Sequence, residues 1–283
     1  MDLGLSGKRC VVTGASRGIG RAVARSLAAE GARLLLVGRD AQALTTAAAA
    51  IATAPGPAPA GARSAAAPGA SARASVETFA ADVTDPAAAE AIVAAAQKRL
   101  GGIDVLVNNA GTSANIPLGE LSEDDWELQW QLNVRGPDRL MRAAAPLMAR
   151  GGWGRIVNVA SSSGKRPSGT NVAYSVTKSA QLALSRAYAE AWAARGVLVN
   201  AVAPGPTTSE LWMAPGGLAD QAAAARGRTR EQVLAAAAAR TPRGSLGEPQ
   251  EIAAAIVFLC SERAANVVGA SWSVDGGAVP SII

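Results

Sequence analysis

The chain contains no histidine, and its 283 residues include two cysteines, Cys10 and Cys260. Without histidine there is no His-dependent triad and no His-ligated zinc, so proton transfer near neutrality falls to other side chains. The cysteines form no C-x-x-C pair, which excludes a thiolate metal cluster or disulfide framework by pattern; no metal site is assigned. Tyrosine is as scarce, with only Tyr174 and Tyr188. No uncharged apolar run reaches the roughly 18 residues that a membrane-spanning helix needs, and the opening MDLGLSGKRC lacks a signal peptide's apolar core. The expectation is a soluble cytoplasmic protein with no membrane partner. A clustered basic stripe is missing too. Net charge is +5, but the arginines are scattered through alanine-rich segments, which argues against nucleic acid as a partner.

What is present is a 49% apolar composition and strand and helix patterns that alternate to the end. Together they predict one α/β domain over residues 1–283, a doubly wound parallel sheet with helices on both faces. Residues 8–13 (KRCVVT) read as the first strand. Gly14, Ala15, Ser16, Arg17, Gly18, Ile19 and Gly20 follow, and then a helical pattern from Ala22. A glycine turn between strand and helix lets the backbone approach a pyrophosphate at a helix N-terminus, although the spacing is G-x-x-x-G-x-G. The second strand, residues 33–37, ends in Gly38, Arg39 and Asp40. An acid at that strand end would bind a ribose 2′-hydroxyl, whereas an arginine accommodates a 2′-phosphate. Gly38 stands where the acid belongs, flanked by Arg39 and with Arg17 in the turn, so NADP(H) is preferred. NAD(H) stays open should Asp40 reach the ribose instead of capping the next helix.

Residues 54–75 are Pro-, Gly-, Ala- and Ser-rich and read as a flexible surface insertion without function. After a third strand at 76–80, Asp82 and Val83 would lie beside the adenine. The fourth strand, 103–107, leads into Asn108, Asn109, Ala110 and Gly111. These small residues leave room for a cofactor, and the amides can hold neighbouring strands or the adenosine side. The next helix runs through Trp126, Trp130 and Asn133 to Met148; the tryptophans read as core or subunit contact, and Asn133 needs partners.

Residues 155–160 form a buried strand with Ser161 at its carboxyl end, where ligands of open α/β sheets gather. Tyr174 and Lys178 open the following helix four residues apart and so share a face. A cation held close would lower the phenol pKa toward the range of a proton-transfer catalyst. Tyr188 has no such lysine and reads as packing. A buried strand at 197–203 then breaks at Pro204, Gly205, Pro206, Thr207 and Thr208. Residues 207–247 form a long excursion read as a substrate lid. Leu211, Trp212, Met213 and Leu218 give it an apolar wall, with 215–217 as hinge, and an apolar or aromatic substrate portion is expected against Trp212 and Met213.

In this order and spacing the motifs resemble the short-chain dehydrogenase/reductase family. They are T-G-x-x-x-G-I-G from Thr13, N-N-A-G from Asn108, Asn133, Ser161, Y-x-x-x-K at Tyr174 and Lys178, P-G-x-x-T from Pro204, and the terminal V-D-G-G from Val274. The resemblance implies about seven strands, a homotetramer, and hydride transfer with a nicotinamide cofactor. It implies Tyr174 as general acid/base and Lys178 as the group that lowers its pKa and binds the nicotinamide ribose. Ser161 would hold the substrate oxygen, Asn133 would anchor a water leading to Lys178, and Thr208 or Thr207 would meet the carboxamide. The further likeness is to 3-oxoacyl-carrier-protein reductases, so NADPH-dependent reduction of a ketone or other carbonyl substrate is expected. Arg195 matches a position that meets acyl carrier protein, but its usual basic partner falls at Gly152, with Arg150 nearby, which weakens that partner. The alternatives are an alcohol dehydrogenase acting on a small hydroxy compound or sugar, and a cofactor-binding regulator without turnover.

Overall fold

The computed structural model describes residues 1–53 and 75–280. The 54–75 insertion therefore lies, except for Ser75, outside the described residues. Seven parallel strands form one sheet in the order β3-β2-β1-β4-β5-β6-β7. They are β1 (Arg9–Thr13), β2 (Arg33–Gly38), β3 (Val76–Ala80), β4 (Val105–Asn108), β5 (Gly154–Val159), β6 (Val197–Pro204) and β7 (Ser271–Val274). Each matches an expected strand to within a few residues. Their apolar runs are continuous because helices cover both faces of the sheet.

Alternation along the strands divides the core in two. Val12, Leu34 and Leu36 face the layer of α1 (Gly18–Ala29), α2 (Ala41–Ala52) and α10 (Pro249–Cys260). Val11, Leu35 and Val37 face the layer of α3 (Ala88–Leu100), α5 (Gly136–Arg150) and α6 (Val172–Trp192). Strand order reverses between β1 and β4, which opens a crevice at the carboxyl edge where a ligand can enter.

Two local features bear on that crevice. Asp40 caps α2, its carboxylate accepting from the Ala43 N–H at 3.0 Å; it is therefore committed to the helix and not to the ribose. Helix α4 (Glu123–Trp130) continues into α5 through a π-type turn, Gln131–Arg135, that carries Asn133. Such bulges change the helical phase and recur at functional sites. Trp126 and Trp130 do not enter the core: Trp130 is 41% exposed, beside Leu128 at 49%. Among the described residues no helix is long and apolar enough to cross a membrane.

Candidate active site

A cleft of about 520 Å3 runs along the carboxyl edge of the sheet, within the roughly 300–1,000 Å3 usual for small-molecule sites. At its first end the turn after β1 is built for close approach. Gly14 has φ +64°, and a Cβ there would stand 2.9 Å from Ala110 Cα and from Asn109 Nδ2. Asn109 pins this turn by donating to the Thr13 and Gly14 carbonyls at 2.9 and 3.1 Å. Arg17, the N-cap of α1, gives no side-chain cap, and the first helical turn has no acid. The N–H groups at the start of α1 are thus left for an anion, and the helix dipole favours one there. This arrangement fits a dinucleotide pyrophosphate.

Ser16, Arg17, Gly18 and Ile19 line this end; Gly38, Arg39, Asp82 and Val83 line the far side; Ala110 and Gly111 form the floor. Gly20 does not line the cleft. A Cβ on it would collide with the Gly14 carbonyl and the Asn109 amide, so its place in the motif is explained by packing α1 beneath the turn. The Arg39 side chain is 76% exposed and its guanidinium is 3.9 Å from the Asp82 carboxylate.

Ser161, Tyr174 and Lys178 converge at the middle of the cleft. Lys178 is 2% exposed, and its Nζ donates to the Val159 carbonyl at 2.8 Å and to Gln181 Oε1 at 2.9 Å. Burial pulls its pKa down to about 7. Nζ stands 5.6 Å from the centre of the Tyr174 ring. Burial pushes the Tyr174 pKa up, and the neighbouring Ser161 hydroxyl opposes that rise. The expected lowering of the phenol pKa by Lys178 is therefore not seen in this geometry. Desolvation dominates at both groups, and the ammonium is held by a carbonyl and an amide instead of the phenol.

Asn133 is fully buried behind Gly111 and does not line the cleft. Its Nδ2 donates to Gln129 Oε1 at 2.7 Å and Thr177 Oγ1 at 3.1 Å, while Oδ1 has no partner. A Cβ on Gly111 would stand 3.5 Å from that Oδ1 and 3.7 Å from Lys178 Nζ. The two polar groups thus flank the same glycine, as a water-mediated link between them would require. Tyr188 lies outside the cleft and donates to the Asp138 carboxylate at 2.7 Å. Burial, with Asp138 adding to it, pushes its pKa up to about 12.

After β6, Pro204, Gly205, Pro206 and Thr207 line the cleft, but Thr208 does not. Its hydroxyl turns outward to Glu248 Oε2 at 2.7 Å. Ser209, which the sequence reading passed over, takes the wall position and is 8% exposed. The Ser209 N–H donates to the Thr207 carbonyl at 2.7 Å, a tight turn that carries Thr208 outward at its apex and returns Ser209 to the cleft wall. The 207–247 excursion comprises α7 (Glu210–Met213), α8 (Leu218–Arg226) and α9 (Arg230–Ala239). Leu211, Trp212 and Leu218 line the cleft; Met213 does not, and its carbonyl accepts from Arg230. Helix α8 is tied to the loop after β4, with Asn115 N–H donating to Gln221 Oε1 at 3.0 Å and Asn115 Nδ2 to the Leu218 carbonyl at 3.3 Å. Ser113, Ser163 and Asn171 also line the cleft. Ser163 lies in a single 3-10 turn and Asn171 at the N-cap of α6, and none of the three belongs to a periodic pattern; only their proximity to a strand end or to Tyr174 could have flagged them.

Residues 14–279 match the profile of a family described as Enoyl-(Acyl carrier protein) reductase. D-threitol dehydrogenase of Mycolicibacterium smegmatis is 34% identical, covering 98% of this chain and 94% of that protein. The 3-oxoacyl-[acyl-carrier-protein] reductase FabG of Vibrio cholerae is 32% identical, covering 97% and 98%. Among solved structures, that of L-sorbose reductase from Gluconobacter frateurii, complexed with NADPH and L-sorbose, is similar with a TM-score of 0.88. It is 33% identical, with 100% of both chains covered.

Proposed function

From the premise that this chain belongs to the short-chain dehydrogenase/reductase family and is an oxidoreductase, we propose that it interconverts a ketone and a secondary alcohol on a small polyhydroxylated substrate, with NADP(H). The observation that carries the substrate class is the polar crown of Ser113, Ser163 and Asn171 in the cleft that holds Ser161 and Tyr174. Asn171 Nδ2 is 3.5 Å from Ser113 Oγ. Its Oδ1 accepts from Ser175 Oγ at 2.9 Å, which fixes the amide, and the Ser113 and Ser163 hydroxyls can pair with substrate hydroxyls where an alkyl chain would offer them no partner. The relatives named for threitol and sorbose support the same reading.

The bound cofactor supplies or accepts the hydride. In this reading the start of α1 holds its pyrophosphate, Arg17 and Arg39 its 2′-phosphate, Lys178 its ribose, and Thr207 and Ser209 its carboxamide end. Two arginines, with Gly38 and no acid at the end of β2, favour the phosphorylated cofactor, as do neighbours whose structures contain NADPH or NADP. Tyr174 would give its phenolic proton to the carbonyl oxygen that Ser161 would also hold when the substrate is reduced, and would take that proton back when the alcohol is oxidised. The lid's Leu211, Trp212 and Leu218 exclude water from the reacting carbon.

The test is a panel of four- to six-carbon ketoses and the matching polyols, set beside a 3-oxoacyl thioester and unsubstituted aliphatic ketones, each with NADPH or NADP. The proposal expects the highest kcat/KM for a ketose or polyol. A clear preference for the thioester or the bare ketones would overturn it.

A further inference from the structure

Gln181 was given no role by the motif pattern, yet it is fully buried and its side chain meets the catalytic lysine. An ammonium has three N–H donors. Two of those on Lys178 are used, by the Val159 carbonyl and by Gln181 Oε1. We infer that Gln181 is a positioning residue for the reaction, fixing the Lys178 ammonium so that its remaining N–H is presented to the cleft beside Gly111.

The orientation of the amide supports this. Gln181 Nε2 is buried without a partner, an arrangement that folds ordinarily avoid. Turning the amide over would bring its two donors against the ammonium, so the contact with Lys178 dictates which end is left over. Were packing the residue's whole task, an apolar side chain would serve without an orphaned donor. The backbone beneath is also fixed. The Gln181 carbonyl accepts from Ser185 Oγ at 2.7 Å, and that hydroxyl accepts from Asn158 Nδ2 of β5 at 2.8 Å.

A neutral acceptor here holds the charged lysine without cancelling its charge toward the cleft. The groups around Nζ are Tyr174 and Gln181 from α6, Val159 at the end of β5, and Gly111 with Asn133 behind it. Of these only Tyr174 titrates. The effect of Gln181 should therefore be legible in the lysine's own protonation.

This inference rests on Tyr174 and Lys178 being the working pair, and not on the substrate class. Its test compares Gln181→Met, close in size without an acceptor, with Gln181→Glu, close in shape and charged. The readouts are the pH midpoint of NADPH binding, followed by fluorescence, and the pH profile of kcat on any substrate that turns over. The expected result is a pair of opposite shifts, to lower pH for Gln181→Met and to higher pH for Gln181→Glu, with kcat of the Met variant reduced by about 10- to 100-fold as for a lost charge-assisted hydrogen bond. Shifts in the same direction, or a Met variant with wild-type kcat and midpoint, would overturn it. Should Gln181→Met fail to fold, Gln181→Glu decides alone: an upward shift supports the role, and an unchanged or lower midpoint refutes it. A failed substrate assignment leaves the binding readout intact.

Discussion

Replacing Arg39 with alanine should remove much of the preference for NADPH over NADH while leaving NADH affinity unchanged. In the structure the guanidinium is largely exposed and only loosely engaged, 3.9 Å from Asp82, so little is lost when it turns toward a phosphate. A hydrogen bond to a charged group contributes about 1.5–3 kcal/mol. Exposure and salt screening place Arg39 at the lower end of that range, or about tenfold in the NADPH Kd. Arg17, on the opposite side of the same end of the cleft, should contribute a comparable factor, and the double variant should bring the two cofactors close to parity. The assay is fluorescence titration of both cofactors at low and high ionic strength, with the preference narrowing as salt rises. Asp40→Asn serves as control. An Asn side chain can still cap α2, so the variant should leave the preference unmoved. An unchanged NADPH-to-NADH ratio in Arg39→Ala, or a change in Asp40→Asn, would refute the assignment.

Lys178→Met should abolish turnover yet stabilise the fold near pH 6. Burial drops the lysine pKa from 10.5 to about 7, so between those values the unfolded chain binds more protons and wild-type stability rises with pH. At about 1.36 kcal/mol per unit the penalty below pH 7 has a ceiling of about 5 kcal/mol, offset by the acceptors left on Val159 and Gln181. Denaturant melts at pH 6 and pH 9 should show the variant's advantage shrinking with pH, and a variant less stable than wild type at pH 6 would contradict this. Ser209→Ala should weaken cofactor binding by a few-fold, as for one neutral hydrogen bond of about 1 kcal/mol, whereas Thr208→Val should not; equal effects in titrations would contradict the inward assignment of Ser209. Trp212→Ala should lower kcat/KM more than it lowers NADPH affinity, and a variant that instead loses cofactor affinity would place Trp212 against the cofactor.

The strands, the glycine turn and the Tyr174–Lys178 pair were legible because each is a local pattern: apolar runs, helix spacing, and a turn only glycine accommodates. The cap by Asp40 was legible for the same reason, since it spans only the four residues from Asp40 to Ala43. What the sequence concealed depends on phase and on tertiary contact. Thr208 and Ser209 are adjacent hydroxyls, and nothing local tells that a tight turn from Thr207 to Ser209 sends the first outward and the second inward. Asn133 could be marked as needing partners, but the π-type turn that carries it and the buried Oδ1 it leaves toward Gly111 have no local pattern to announce them. Helix spacing placed Lys178 beside the Tyr174 ring, as found, but it could not show the burial that pushes the phenol pKa up or the hold of Val159 and Gln181 on the ammonium. Ser113, Ser163 and Asn171 lie in short irregular segments that keep no period, so the polar groups on which the proposed hydroxylated substrate rests could not be read beforehand.

The most direct test of the account is Tyr174→Phe, measured for kcat with NADPH on whichever ketone the wild type reduces best, and for NADPH Kd by titration. Removing only the phenolic proton should cut kcat by about 10²–10⁴-fold while NADPH still binds, and Tyr188→Phe, whose hydroxyl serves Asp138 outside the cleft, should keep its turnover. A Tyr174→Phe enzyme that retains half its rate would contradict the account.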